Sequence, residues 1–236
     1  MERVKTFDLS RTTVRELNQF LHHDLAPRDD HKTAHVELVE VLHPDGAHSI
    51  AAGVNAPVCI NIRGHAGYFV AGMNQLAEVT IFGNVGWSIA ENMMSGRVHV
   101  KGHASESAGA SAHGGLLVID GDASSRCAIS LKGGDIVVGG GVGHFSAFMA
   151  QAGTLVVCGD SGPNLGDSLY EAVIYVRGKI HSLGADAQEE PMGSADYETV
   201  GRLLKAAGME YDPKDFKRVA SARKLYHWNS EVHQEY

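Results

Sequence analysis

Glycine recurs every 19 residues through the middle of this chain, at Gly64, Gly83, Gly102, Gly121, Gly140, Gly159 and Gly178. Four residues before each stands Ile60, Val79, Val98, Leu117, Ile136, Leu155 or Ile174, and two before stands Ile62, Ile81, Val100, Ile119, Val138, Val157 or Val176. All are aliphatic. Apolar residues with period 2 form one inward face of a strand. The glycine then turns the chain, through positive φ or close backbone approach. A second column precedes the strands (Gly96, Gly115, Gly134 and Gly153, with Ala77 and Ala172 at its ends). A third small-residue column runs Ala71, Ala90, Gly109, Ala128, Ala147, Gly166, Ala185. One such unit cannot bury its own apolar face, so units stack. The spacing predicts a mainly β chain: a right-handed parallel β-helix, a single-stranded solenoid of about seven 19-residue coils. At about 4.8 Å per coil it stands roughly 30–35 Å tall. A left-handed hexapeptide helix needs multiples of six, and a leucine-rich repeat needs leucines and an asparagine in each unit.

Charge divides the chain into three parts. Residues 58–185 carry 7 basic and 9 acidic side chains, whereas the much shorter flanks, 1–57 and 186–236, together carry 13 and 19. The middle is therefore mostly core, or its outside is covered. Residues 1–57 are expected to form an N-terminal cap. It comprises a helix over 11–25, capped by Thr12 or Thr13, and strands over His35–Leu42 and Ser49–Val54. Residues 186–236 are expected to be a helical tail. Ser194 caps one helix that ends at Gly208, and Pro213 starts another carrying Phe216, Val219, Ala220 and Leu225.

The outer face of the strand column reads Asn61, Thr80, His99, Val118, Val137, Val156, Tyr175. The last four are apolar where solvent is expected, so this face is covered either by the C-terminal helices or by a partner. Val118, Val137, Val156 and Tyr175 are accordingly candidate interface residues. Val137→Asp together with Val156→Asp is expected to leave the isolated chain folded but to block assembly. Tyr68, Phe69 and Trp87, in adjacent early coils, form a second candidate interface patch, with core or cap packing as the alternative.

A net charge of −8 argues against a nucleic-acid partner. No apolar run approaches the ~18 residues of a membrane span, and the N-terminus has no apolar signal region. Cys59, Cys127 and Cys158 form no CxxC pair, which suits a reducing cytoplasm. The run Val137–Gly143 imitates a dinucleotide-binding loop, but the repeat places Gly140 in the common turn and leaves no room for a βαβ unit. The 14 histidines show no metal-ligand spacing. No GxSxG elbow and no ladder of acidic side chains is present. No catalytic, cofactor-binding or metal residue is assigned in this chain.

These columns resemble the glycine-rich GXGXG β-helix family, which includes the C-terminal domain of the glutamate synthase large subunit. The likeness covers about residues 50–230. It includes the coil Ala90-Glu91-Asn92-Met93-Met94-Ser95-Gly96-Arg97-Val98 and the tail Ser221-Ala222-Arg223-Lys224-Leu225-Tyr226. Within the family, free-standing chains of this length are similar to the β-helical subunits of N-methylglutamate synthases. The resemblance implies a non-catalytic scaffold in a hetero-oligomer with two sister chains. One sister is a class II amidotransferase-like subunit, and the other is a synthase-like subunit that holds FMN and an iron–sulfur cluster. The implied overall reaction converts glutamate and methylamine to N-methylglutamate and ammonia. Two alternatives stand beside it. One is the β-helical subunit of a formylmethanofuran dehydrogenase or formyltransferase/hydrolase complex, and the other is a self-assembling structural β-helix.

Overall fold

A computed structural model describes residues 4–25 and 38–223. Nine strands stack in parallel, in chain order: β1 (Val4–Asp8), β2 (Leu38–Leu42), β3 (Cys59–Arg63), β4 (Glu78–Ile81), β5 (Arg97–Val100), β6 (Leu116–Ile119), β7 (Lys132–Val138), β8 (Ala152–Val157) and β9 (Val173–Val176). From β3 onward the register follows the repeat: Ile60 pairs with Val79, then Val98, Leu117, Ile136, Leu155 and Ile174. Both aliphatic columns point into one continuous core and are fully or almost fully buried. The chain is a parallel β-solenoid, as the repeat predicts.

Two residues past each glycine a second, shorter ladder runs up the molecule: Ala66, Val85, Ala104, Ala123, Val142, Ser161 and Ile180 are joined by single parallel bridges. Further along the coil the backbone turns left-handed, and the third small-residue column (Ala71, Ala90, Gly109, Ala128, Ala147, Gly166) sits at its centre. Phe69, Ala71 and Met73 lie in the left-handed region at φ 57°, 50° and 56°, and in the next coil Ser88, Ala90 and Asn92 do the same at 61°, 54° and 53°. Their N–H groups point alternately up and down the stack. Ser88 donates to Glu106 O in the coil above, and Ala90 to Val70 O in the coil below, both at 2.9 Å. A left-handed L-residue costs roughly 1–2 kcal/mol. Here hydrogen bonds from both neighbours over-determine it.

The lower end departs from the expected cap: strand β1 (Val4–Asp8) has no counterpart in it, and the helix is shorter than the expected 11–25. Thr13 caps α1 (Val14–Gln19), reciprocally with Glu16, and a π-helical turn (Phe20–Asp24) follows. Leu17 and Leu21 plug the core. Residues 49–54, however, form no strand. Ser49, Ala51 and Gly53 are left-handed like the coils above them, and Ala71 donates to Ile50 O at 2.9 Å. This segment is the corner of an additional coil whose strand is β2. Of the strand expected over His35–Leu42, residues 35–37 lie outside the described region.

The tail is also corrected. Gly193, not Ser194, is the N-cap of α2 (Ser194–Ala207), and Asp196 Oδ2 accepts from Gly193 N at 2.8 Å. Gly208 ends the helix in the left-handed conformation, as expected. Pro213 starts only one 3-10 turn (Pro213–Asp215). Phe216 follows that turn, and Val219 and Ala220 lie not on a helix but on strand β11 (Lys217–Ser221), which runs antiparallel to β9. The reason is the sheet edge. The last coil leaves a row of unpaired backbone groups on β9, and β11 followed outward by β10 (Ala187–Glu190) pairs them. Leu225, and Lys224–Tyr226 of the tail motif, lie outside the described residues.

Candidate functional site

The repeat glycines are explained by proximity more than by φ. Of the seven, only Gly64 is left-handed, at φ 139°. A Cβ on Gly83 would stand 2.5 Å from Gly64 O, and one on Gly121 would stand 2.7 Å from His103 Nδ1. At Gly102, Gly140 and Gly178 the space is filled by Asn84, Asp122 and Asp160 from the coil below. These fillers belong to the polar row that follows each glycine. Asn84 N donates to His65 Nδ1 (2.9 Å), His103 N to Asn84 Oδ1 (2.9 Å), Asp122 N to His103 Nδ1 (2.9 Å), and Gly141 N to Asp122 Oδ1 (2.8 Å). After a gap at Gly141 the row resumes, with Lys179 N donating to Asp160 Oδ1 at 2.7 Å. Two histidines that could suggest a metal site thus act as acceptors between coils.

The glycine-rich run at 139–143 is taken up in the same way. The N–H groups of Gly139, Gly140, Gly141, Val142 and Gly143 all donate to neighbouring coils, at 2.8–3.1 Å. Donors that would cradle a pyrophosphate are therefore committed to the stack.

The apolar outer column has an intramolecular cover. Val118, Val137, Val156 and Tyr175 are buried under α2, against Val200, Leu203, Leu204, Ala207 and Phe216. Asp196 fastens the helix: its Oδ1 accepts from the Tyr175 hydroxyl at 2.6 Å and from Arg218 Nε at 3.1 Å. Burial, then the Asp196 carboxylate, pushes the Tyr175 phenol upward. Of the two covers left open by the sequence, the helix is the one present. These four residues are therefore not a free interface, and Val137→Asp would disturb the chain's own fold. The physical reason is the 14-residue amphipathic α2, which needs an apolar bed.

Below α2 the outer face stays open and polar. Arg63 grips Glu40 with two hydrogen bonds, at 2.7 and 3.0 Å, and Asn61 donates to the same carboxylate at 2.8 Å. The Arg63 guanidinium, which also lies 4.0 Å over the Phe82 ring, holds the Glu40 carboxyl below its usual range. Higher up, His99 Nε2 lies 2.6 Å from Asp120 Oδ1, and Lys101 Nζ lies 3.3 Å from Asp120 Oδ2. Burial of the imidazole, outweighing Asp120, lowers the His99 pKa. Between this group and the C-terminal turn of α2 is a cleft of about 440 Å³. Arg97, His99 and Lys101 line one side, and Lys205, Met209 and Tyr211 the other. Arg97, Lys101, Asp120 and Lys205 carry no expectation from the sequence. Alternation along β5 does place Arg97, His99 and Lys101 on one face, and that is the signal that could find them.

The early aromatic patch is exposed in part. Tyr68 (47% exposed) stacks on His48 at 4.3 Å between centroids and on Trp87 at 5.2 Å, with Trp87 itself 51% exposed. Phe69 is half-buried and folds over Gly72, where a Cβ would meet its ring at 2.6 Å. Tyr68 and Trp87 thus face solvent across two coils, while Phe69 packs locally.

No protein-family model matches the chain. Over 223 residues it is 48% identical to Protein GlxC of Rhizobium meliloti (strain 1021), across 94% of this chain and 95% of that protein. The chain belongs to the GlxC family. The match spans nearly all of both chains, so the GlxC-family unit comprises the β-solenoid together with its flanks. Among the described residues of this GlxC-family chain, no three His, Cys, Asp or Glu side chains stand together as a metal site. No described helix is long and apolar enough to cross a membrane.

Proposed function

We propose that this chain is the scaffold subunit of a glutamate synthase-like complex, and specifically of an N-methylglutamate synthase. In that role it holds a class II amidotransferase-like chain and an FMN- and iron–sulfur-bearing synthase-like chain in fixed relation. Its catalytic contribution is positional, and glutamate and methylamine react on the sister chains.

The observation that carries this proposal is how the repeat uses its polar groups. His65, Asn84, His103, Asp122 and Asp160, together with the 139–143 backbone, bond from coil to coil. Such a stack is stiff and presents side chains at fixed height and bearing. The exposed Tyr68–Trp87 pair supplies anchors of the kind that dominate interfaces.

The test is affinity purification of the full chain from native cells, with mass spectrometry and an absorbance spectrum. Recovery of an amidotransferase-like chain and a flavin and iron–sulfur chain is expected, with methylamine-dependent formation of N-methylglutamate. Trp87→Ser should lose both sisters while leaving the circular dichroism spectrum unchanged. A metal-dependent hydrolase and a formyltransferase as the recovered partners would overturn the proposal, as would a chain recovered alone.

A further inference from the structure

The cleft beneath the end of α2 has more positive charge than its own contacts use. Arg97, Lys101 and Lys205 line it, and among the described residues Asp120 is its one carboxylate. Asp120 is already engaged by His99 at 2.6 Å and Lys101 at 3.3 Å. Arg97 directs one nitrogen, Nη1, to Ala206 O at 2.8 Å, in the last turn of the helix. It has no carboxylate partner among the described residues, although Glu78 is its neighbour in register on β4. A guanidinium carries five donors, so most of its fork stays available. Lys205, one residue before the helix carbonyl that Arg97 holds, also makes no ion pair among the described residues.

This local excess stands in a chain of net charge −8. The facing wall joins Lys205 to an apolar stretch. Met209 packs on Cys158 (Sγ to Sδ 3.9 Å), and the Tyr211 ring is held by Arg177, whose guanidinium carbon lies 4.5 Å from the ring centre. The Schellman turn, with Met209 N donating to Leu204 O at 2.9 Å, fixes that wall. Cations on both sides, one short apolar stretch and a volume of about 440 Å³ suit a small organic acid. A planar fork suits a carboxylate better than a monatomic anion.

We infer that the Arg97–Lys205 cleft binds a small carboxylate anion, with Arg97 as the bidentate partner, Lys205 as the second charge, and Met209 and Tyr211 against the carbon chain. This goes beyond the scaffold role and does not depend on it, because it concerns the chain alone.

The experiment is isothermal titration of the full chain with succinate at low ionic strength, with inorganic phosphate as a parallel probe. Succinate is expected to bind at one site. Arg97→Gln should weaken it by about tenfold, the worth of one charge-assisted pair. Lys205 is exposed and structurally unencumbered, so Lys205→Gln should fold normally and weaken binding severalfold. Arg202→Gln, whose wild-type guanidinium faces Asp135 instead (3.5 Å), should leave binding unchanged. Arg97 also anchors the helix end, so its variant is read only alongside an unchanged melting temperature, and Lys205→Gln decides otherwise. Binding that survives both cleft variants overturns the inference. So does a response to phosphate with none to succinate, or no binding of succinate at tens of millimolar.

Discussion

Asp122 and Gly140 interlock across one coil boundary. The Asp122 carboxylate occupies the volume that a Cβ on Gly140 would need, and the same oxygen accepts the next N–H, from Gly141, at 2.8 Å. Gly140→Ala should therefore cost about 1–3 kcal/mol in denaturant unfolding. In an Asp122→Ala background the same substitution should cost about 1 kcal/mol less, because one of its two obstructions is gone while Gly121 C, 2.9 Å from the ideal Cβ, remains. Strictly additive effects in the double-mutant cycle would refute the interlock.

The cover provided by α2 is a second testable relation. Leu203 is 1% exposed and packs on the valine column. Leu203→Ala should cost roughly 2–5 kcal/mol. Val137→Asp places a carboxylate in the same seam and should make α2 the first site of proteolytic cutting. An isolated Val137→Asp chain as protease-resistant as wild type would mean that the helix does not depend on this column.

Acid should weaken the chain partly through His99. Its folded pKa is depressed by burial, whereas the unfolded residue titrates near 6.5. Over the window from about pH 6.5 downward, the unfolded chain takes up the proton first, so stability present above that pH is lost as pH falls. His99→Gln should flatten the fall in melting temperature between about pH 7 and 5 relative to wild type. An identical slope in the variant would remove His99 from the acid response.

Arg126 isolates the cost of the left-handed corner, since it is exposed and sits at φ 58°. Arg126→Gly should be neutral or stabilising by up to about 1 kcal/mol, the left-handed penalty relieved being offset by glycine's chain entropy. Arg126→Val should be worse than glycine by at least ~1 kcal/mol, because β-branching is least tolerated there. Equal stabilities for the two would show that the stack imposes no strain at this corner.

The solenoid was legible because each coil repeats the same inward demand. Ile60 and Ile62 have equivalents in every coil, and a core position tolerates only aliphatic residues. The left-handed corner was not legible at Phe69, Ser88, Ser107, Arg126, Phe145 and Asn164, which share a backbone conformation but no residue type. There the hydrogen bonds of the coils above and below set the geometry, so local propensity is overruled. Val219 and Ala220 misled for a related reason. Their helical spacing was real, but an open sheet edge on β9 took the segment as a strand. The burial of Val118 to Tyr175 was readable as a need for a cover, though not as the identity of that cover. The Arg97 cleft went unread because its two sides, β5 and the end of α2, are over a hundred residues apart.

The fixed 19-residue register from Ile60 to Ile174 gives the molecule a unit of length. Adding or removing one whole coil would shift everything above it by a single strand spacing, about 4.8 Å, and would return each side chain to nearly the same bearing. The distance between the exposed Tyr68–Trp87 pair and the seat of α2 therefore changes in such steps. Evolution can retune that distance by duplication or deletion without redesigning either surface, as one changes the reach of a ladder by its number of rungs.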